Sequence, residues 1–311
     1  MGTYHRIMEI LKVLVLSLFL SNILHAQKKI ADLDDVSFAI NEYYLVTLED
    51  NTFIFGVYRE RIGDQIFFQT NYYSTLIANV NDIKHVRKVS EENVFNGRYA
   101  PSNVHFNRYF FAQSAFNIPK HSVNLSTYSL FTAIEYGLTD HVSISAGANL
   151  LSIFNQEFGN IHLISTKVGG FAISETVTTG VTAFYGVFED MTHRMASGVW
   201  TLGDKNQNLT FGLGYFNLTK NVNSRMPITN ILVSERKTFT SGLITLSGMT
   251  RITRKMFLMT ENWLRRSPEL PSIYSLGYRL AGSKFMFDFC MLYQDRRFNE
   301  FSPFIGFSYK F

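Results

Sequence analysis

Apolar residues recur at every second position between residues 106 and 311, in segments of about ten residues. In the last segment, residues 304–311, the odd positions hold Ile, Phe, Tyr and Phe, whereas the even positions hold Phe, Gly, Ser and Lys. Because successive side chains of a β-strand point to opposite faces, this period predicts strands with one apolar and one more polar face. The alternation therefore predicts an all-β structure for this part of the chain.

The polar faces of these segments consist mainly of Ser, Thr, Gly and Asn. Charged residues make up 17% of the chain, against about 25% in soluble domains. A soluble sandwich is one interpretation of the alternation, but soluble surfaces carry more charge. Short polar side chains suit a narrow lumen, and aromatic residues near the segment ends are typical of the girdles of membrane barrels. The pattern favours a transmembrane antiparallel β-barrel.

Residues 1–26 have the parts of a secretory signal peptide, namely basic residues, an apolar run and a small residue, Ala26, before the expected cleavage site. The apolar run is shorter than the ~20 residues that cross a bilayer, and a membrane anchor is the alternative. Beyond residue 26 there is no apolar stretch long enough for a spanning helix. An exported chain that spans a membrane without helices must form a closed barrel, so we expect an outer-membrane location.

The connections between segments alternate in length, which predicts the number of strands. Short connections are expected at 138–141, 174–176, 203–208, 250–255 and 281–284. Long connections are expected at 155–160, 189–194, 218–238, 265–271 and 294–300. Outer-membrane barrels have short periplasmic turns, longer external loops and an even number of strands. We predict about twelve strands within 101–311, the first at 106–116 and the second at 123–137, or eight or ten if segments such as 195–202 are loops.

Residues 27–100 are predicted to form a small all-β module and a linker. Five segments rich in Val, Ile, Phe and Tyr are separated by turn residues, at 44–48, 53–60, 65–70, 75–78 and 84–89. Glu, Asn, Gly and Pro indicate a linker at 90–105. The strand count of the barrel places this module in the periplasm.

Two parts of the chain resemble known families. Residues 46–52 with Gly56, and residues 81–84, are similar to the V-x-L-x-D-G-x … G … P-x-x-I pattern of Sm-like small barrels. Asn51 stands where that pattern prefers Gly, and Asn tolerates the left-handed turn conformation. Residues 108–117 and 260–263 resemble uncharacterised outer-membrane barrels of Bacteroidetes-type bacteria, a family without an established substrate.

The last residues resemble the β-signal of outer-membrane proteins. Gly306, Tyr309 and Phe311 occupy its glycine, aromatic and terminal hydrophobic positions, and Phe304 stands where a polar residue is usual. The resemblance implies that the barrel-assembly machinery reads this segment during biogenesis.

Five charged residues lie within predicted strands: Glu135, Lys167, Glu261, Arg279 and Asp288. Because Arg or Lys on the lipid face costs about 2–4 kcal/mol near the midplane of the membrane, we expect these side chains to face the lumen. There they would form a selectivity ring or cargo site, or an internal ion-pair network that fills the barrel.

The sequence contains no visible catalytic, cofactor or metal motif. The eight histidines are scattered, and none has a partner at a metal-ligand spacing. There is neither a nucleophile elbow nor a Gly-rich phosphate loop, and one cysteine excludes a disulfide scaffold. A Ser–His site assembled across strands would leave no motif, so a membrane-embedded lipid hydrolase is an alternative.

The expected function is passive passage or binding of a small solute by an outer-membrane barrel with a periplasmic interaction module. The expected partners are outer-membrane lipids and lipopolysaccharide, the barrel-assembly machinery and a periplasmic protein. Arg265, Arg266, Arg296 and Arg297 are candidates for contact with lipopolysaccharide phosphates. A net charge of +4 gives no indication of nucleic acid binding. A structural anchor that displays the module is a further alternative.

Overall fold

The computed structural model describes eight stretches of the chain: residues 38–70, 74–128, 131–149, 161–188, 191–225, 232–267, 270–295 and 301–311. The predicted signal peptide, Arg296 and Arg297 lie outside the described residues. Two compact units are present, one ending at Tyr99 and one spanning Ala100–Lys310. No helix of the described residues is long and apolar enough to cross a membrane.

The first unit contains a five-stranded antiparallel sheet in the order β4-β3-β2-β1-β5. Its strands are β1 Tyr43–Leu48, β2 Phe53–Ile62, β3 Gln65–Gln69, β4 Thr75–Asn79 and β5 Ile83–Val89. They agree with the five segments predicted from the sequence. The core of this sheet consists of the apolar side chains of one face, with Tyr44, Val46, Ile66 and Phe68 at its centre.

Turn residues end the strands of this unit where the sequence indicates. Asn51 has a φ of 63°, as the left-handed turn requires. The hydroxyl and the amide of Thr52 donate to Oδ1 of Asp50 at 2.7 and 2.8 Å, and these bonds lower the pKa of the Asp50 carboxyl. The local turn chemistry thus separates β1 from β2.

The segment 90–105, predicted as a linker, contains regular structure. It begins with a 3-10 turn at Glu91–Asn93 and continues as a hairpin of β6 Val94–Phe95 and β7 Arg98–Tyr99. Asn96 and Gly97 both have positive φ, which suits a two-residue hairpin turn. Its last residues, from Ala100, are buried in the second unit.

The second unit is a closed antiparallel barrel of twelve strands. The strands are β8 Val123–Tyr128, β9 Phe131–Gly137, β10 Val142–Asn149, β11 Ile161–Ala172, β12 Val177–Phe188, β13 Met191–Gly203, β14 Gln207–Arg225, β15 Leu232–Arg251, β16 Met256–Arg265, β17 Ile273–Ala281, β18 Phe285–Gln294 and β19 Phe301–Lys310. Each strand pairs with its neighbours in sequence, and β19 closes the barrel on β8. The predicted fold class, an all-β chain with a twelve-strand antiparallel barrel, is confirmed.

Two of the twelve strands differ from those predicted. Residues 106–116, predicted as the first strand, form no strand of the barrel, and the predicted second strand at 123–137 is instead the hairpin of β8 and β9. The two errors cancel in the strand count. The second error arose because Ser129 and Leu130, between β8 and β9, include no Gly, Pro or Asn to signal a turn.

At one end of the barrel, here called the short-turn end, every connection has three or four residues, whereas at the other, here called the long-loop end, they have two to eleven. At the short-turn end the connections are 138–141, 173–176, 204–206, 252–255 and 282–284. At the long-loop end they are 129–130, 150–160, 189–190, 226–231, 266–272 and 295–300. The predictions of long loops at 189–194 and 218–238 were wrong, because β13 begins at Met191 and β14 and β15 continue their pairing to Arg225 and Leu232.

The outward face of the barrel is apolar. Its exposed large side chains include Ile144, Ile164, Val181, Tyr185, Trp200, Leu209, Phe211, Leu213, Tyr215, Ile244, Leu246, Leu258, Leu276, Tyr278, Phe285, Ile305 and Phe307. Inward positions hold Ser126, Ser143, Thr182, Ser197, Thr210 and Ser247, all buried. This partition matches the alternation of the sequence, and the polar strand positions face the lumen.

Candidate functional site

Residues 100–120, here called the plug, lie inside the barrel. Most of their side chains are buried, and His105, Tyr109 and Phe110 are completely buried. Residues of the plug form hydrogen bonds with residues of β8, β9, β11, β13, β14, β16, β17 and β19. A segment that contacts strands all round a closed barrel can only lie within its lumen.

The plug is a hairpin-like arm that enters and leaves at the short-turn end. Its middle is closed by bonds from the Ser114 amide to the Asn107 carbonyl and from the Tyr109 amide to the Ala112 carbonyl. At one end of the arm, the Pro101 carbonyl accepts from Arg251, and at the other the Lys120 amide donates to Asp140. The tip, Phe110 and Phe111, reaches Glu261 in the middle of β16.

Arg279 is the centre of the contacts between wall and plug. Its Nε and Nη2 donate to the two carboxylate oxygens of Asp288 at 2.7 and 2.9 Å. The remaining N–H groups donate to three plug carbonyls, those of His105 at 2.8 Å, Arg108 at 3.2 Å and Tyr109 at 2.9 Å. All five guanidinium donors are therefore used, and the ion pair is completely buried.

Glu261 holds the tip of the plug. Its Oε2 accepts the backbone amides of Phe110 and Phe111, both at 2.8 Å, and its Oε1 accepts Nε1 of Trp263 at 2.5 Å. The carboxylate is buried, and these charge-assisted bonds offset its desolvation.

Lys167 and Glu135 bind the two limbs of the plug from β11 and β9. Nζ of Lys167 donates to the carbonyls of Asn107, at 3.1 Å, and Phe116, at 2.6 Å. The Asn107 amide group donates to both oxygens of Glu135 at 2.8 Å. Thus the five charged residues singled out from the sequence are all buried in the lumen, and they bind the plug directly or, for Asp288, through Arg279.

Apolar packing and close backbone approach hold the plug as well. Tyr109, Phe110 and Ala112 belong to one cluster with wall side chains of β15 to β19, among them Met249, Phe257, Met259, Met286, Cys290 and Phe304. At Gly137 an added Cβ would lie 2.3 Å from the Pro119 carbonyl oxygen, and at Gly169 it would lie 2.6 Å from that of Ala115. These inward glycines leave room for the plug backbone.

The lumen beyond the tip, toward the long-loop end, has a different lining. Phe216, Leu218, Leu243 and Leu270 form an apolar cluster on the inner side of the wall. The Arg265 guanidinium lies over the Phe216 ring at 4.3 Å and 5.8 Å from the Trp263 ring. This arginine has no hydrogen bond or ion pair through its side chain among the described residues.

The histidines are placed singly. Nδ1 of His121 contacts the Tyr136 hydroxyl at 2.9 Å, Nδ1 of His141 contacts the Gly169 carbonyl at 3.0 Å, and His193 packs edge-on against Phe216. In the described stretches no histidine ring is hydrogen-bonded to a serine, and no group of three or more His, Cys, Asp or Glu residues could hold a metal ion. Cys290 is a buried free thiol on the inner face.

The residues of the predicted assembly signal lie on or beside the last strand. Gly306 faces inward, where an added Cβ would lie 3.1 Å from the Tyr128 ring. Tyr309 pairs with Phe285 and Leu125, and Phe311 follows β19. Their reading by an assembly machinery stays a prediction.

The plug is the feature that sequence reasoning missed. Its aromatic residues, such as Tyr109 and Phe110, have the composition of a strand but no strict alternation. The glycines at inward positions of β9 and β11 were the available signal, because they mark close approach of another backbone.

No protein-family model matches the chain, and no curated protein matches it. Among solved structures it is similar to the NanC porin, with 11% identity and a TM-score of 0.41 over 61% of this chain and 99% of that one. The KdgM porin, solved in complex with disordered oligogalacturonate, has 7% identity and a TM-score of 0.42 over 61% and 98%. A loop L8 deletion mutant of OmpT, an outer-membrane protein of Vibrio cholerae, has 13% identity and a TM-score of 0.34 over 87% and 96%.

Proposed function

We propose that this chain is an outer-membrane barrel for the passive passage of small solutes, and that its plug closes the short-turn half of the lumen in the state described here. The observation that carries the proposal is the closed twelve-strand barrel, with an apolar outer face, around a lumen that contains buried charged and polar side chains and the plug.

The outer face supports insertion in a membrane. A closed barrel pairs its backbone groups within the wall, which the hydrocarbon of a bilayer requires. The exposed aliphatic and aromatic side chains surround the barrel, whereas Glu135, Lys167, Glu261, Arg279 and Asp288 are on the inside. This apolar outer face is therefore suited to contact with lipid and not to contact with water.

The plug supports a closed state with a defined way to open. Both of its limbs leave at the short-turn end, so it can withdraw toward that end without breaking a strand of the wall. The bonds to Arg279 and Glu261 oppose this withdrawal. Passage of a solute therefore depends on displacement of the plug.

The test is single-channel conductance in planar bilayers with the full mature chain. In one variant, residues 108–113 are replaced by Asn-Gly, a two-residue turn that retains the Asn107–Ser114 bond. We expect rare or small openings for the unchanged chain and a larger, long-lived conductance for the variant. Heat-modifiable migration on gels checks that each barrel is folded.

A second variant, Glu261→Gln, keeps the shape of the side chain and removes its charge. We expect it to open more often than the unchanged chain, with the same open conductance as the plug variant. If neither folded variant conducts, passive passage is refuted, and the anchor reading takes its place.

The location and the partners belong to the same proposal. We infer export by the signal peptide, a periplasmic site for residues 27–100, contact with outer-membrane lipid and lipopolysaccharide, and assembly through Gly306, Tyr309 and Phe311. Outer-membrane fractionation tests the location. Deletion of Phe311 should reduce the assembled fraction, and pull-down partners lost on deletion of residues 35–90 would identify the periplasmic protein.

A further inference from the structure

We propose that the lumen above the plug binds a small amphipathic anion, a carboxylate carried on an aromatic or aliphatic body. This anion would be the class of solute that passes through the barrel. The inference rests on the proposed function only in this respect, because binding itself does not require passage. Four observations carry it: open space, an aromatic floor, a guanidinium whose Nε has no hydrogen-bond partner among the described residues, and two described carboxylates that are already occupied.

Phe111 shows that there is open space above the tip. Its amide is bound to Glu261 inside the barrel, and its ring lies 4.6 Å from that of the inward residue Phe304. Even so, 44% of this residue is exposed. An exposed phenyl ring inside a barrel must face an accessible part of the lumen.

The floor of this space is aromatic. The Phe111 ring contacts Tyr128 at 5.7 Å, and Tyr128 stacks on Phe304 at 5.4 Å. The Glu261 carboxylate accepts both the Trp263 indole N–H and the Phe111 amide. Trp263 also packs against the two apolar clusters of the lumen described above. We call Phe111, Tyr128, Trp263 and Phe304 the aromatic floor; it favours a ligand with an apolar body.

Arg265 provides the charge beside this floor. Stacking on Phe216 and proximity to Trp263 hold the plane of the guanidinium, and a stacked guanidinium keeps its edge free for a carboxylate. Its Nε is buried without a hydrogen-bond partner in the described part of the chain. A bidentate carboxylate would satisfy that group.

Two carboxylates of the described residues, Glu261 and Asp288, do not compete for Arg265. Glu261 accepts two plug amides and the Trp263 indole, and Asp288 is paired with Arg279. Lys220, over the Phe239 ring at 5.3 Å, adds a second cation on the inner side of β14. An anion is therefore favoured over a cation, and the aromatic floor favours an amphipathic anion over a small hydrated one.

The experiment measures binding without measuring passage. The full mature chain is placed in phosphatidylcholine nanodiscs with Trp200→Phe, which leaves Trp263 as the sole tryptophan of the mature chain. Its fluorescence is titrated with 4-phenylbutyrate, with 4-phenylbutylamine and with acetate. We expect 4-phenylbutyrate to bind about tenfold more tightly than either other probe. The amine lacks the carboxylate and acetate lacks the ring, and the ion pair and the buried ring should each increase the affinity about tenfold.

A matched pair of variants locates the site. Arg265→Gln should weaken 4-phenylbutyrate about tenfold, whereas Arg266→Gln, at the exposed neighbouring position, should leave its binding unchanged. Phe111→Ala should reduce the affinity for 4-phenylbutyrate by a smaller factor. The affinity of Arg265→Lys should lie between those of the unchanged chain and Arg265→Gln.

The proposal would be overturned if the amine bound as tightly as 4-phenylbutyrate. It would also be overturned if the folded Arg265→Gln variant bound 4-phenylbutyrate as tightly as the unchanged chain. Conductance is recorded separately, so binding without conductance would refute passage and keep the site. Conductance without selective binding would keep passage and refute the site.

Discussion

The two halves of the lumen use buried charge in opposite ways. On the short-turn side, Arg279, Glu261, Lys167 and Glu135 all bind the plug. On the long-loop side, Arg265 lies on an aromatic ring without an ionic partner among the described residues. The described part of the barrel wall therefore contains a set of charges that hold the plug and, in Arg265, a charge that we propose is available to a ligand.

The difference between the halves follows from desolvation. A charge removed from water is tolerated when hydrogen bonds and an opposite charge replace its hydration. Arg279 has all five donors occupied, whereas the Arg265 guanidinium has, within the described stretches, only its stacking contacts with Phe216 and Trp263. Loss of the first should affect stability, and loss of the second should affect recognition.

The largest effect is expected for Arg279→Leu. The change leaves Asp288 buried without its partner and leaves three plug carbonyls without a donor, at a cost of about 3–5 kcal/mol in the free energy of unfolding. Guanidinium-induced unfolding in lipid vesicles measures this loss. The double variant Arg279→Leu/Asp288→Leu should recover part of it, and a single variant as stable as the unchanged chain would contradict the assignment.

A smaller effect is expected for Glu261→Gln, which removes the charge that binds the tip of the plug. Hydrogen bonds to a charged group contribute about 1.5–3 kcal/mol, so the population with the tip released should rise about tenfold or more. Hydrogen exchange of the Phe110 and Phe111 amides reports this population. Unchanged protection of both amides would show that Glu261 does not hold the tip.

Gly137→Ala should disturb the plug through its backbone. The new Cβ would lie 2.3 Å from the Pro119 carbonyl oxygen, and such overpacking costs about 1–3 kcal/mol. The matched control is Gly242→Ala, where no atom lies within 4 Å of the added Cβ. A difference in thermal midpoint between the two variants is the expected result, and equal midpoints would argue against tight packing of the plug.

The smallest effect on stability is expected for Arg265→Gln. No hydrogen bond or ion pair of this side chain is lost in the described structure, so the free energy of unfolding should stay within about 0.5 kcal/mol of the unchanged chain. The same unfolding titration in vesicles measures it. A loss comparable to that of Arg279→Leu would remove the distinction between the two halves.

Much of the fold could be predicted because its signals are local. Alternation along segments such as 304–311 predicts which side chains lie on each face of a strand. Asn51 predicts a turn, and it has the left-handed conformation expected there. The cost of charge in lipid directs Lys167 and Arg279 inward without reference to any neighbour. Each of these inferences uses a few consecutive residues.

The plug and its contacts could not be predicted in this way. Arg279 bonds carbonyls about 170 positions earlier in the chain, and Glu261 bonds amides about 150 positions earlier. Nothing in the sequence near either residue names its partner. For the same reason, residues 106–116 resembled a strand: their Phe and Tyr residues are typical of a strand, and nothing near them in the sequence indicates the barrel wall that encloses them.

The sequence by itself determined an all-β chain, an antiparallel barrel, a five-stranded module and the inward direction of the five charged residues. Periodicity, turn residues and the cost of charge in lipid act over short stretches, so they can be read in order along the chain. The tertiary structure alone decided that residues 100–120 occupy the short-turn half of the lumen, that four of the five wall charges bind them directly and Asp288 through Arg279, and that Arg265 does not bind them. These outcomes depend on the closure of the barrel, which brings distant strands around one segment and leaves Arg265 beyond the reach of that segment.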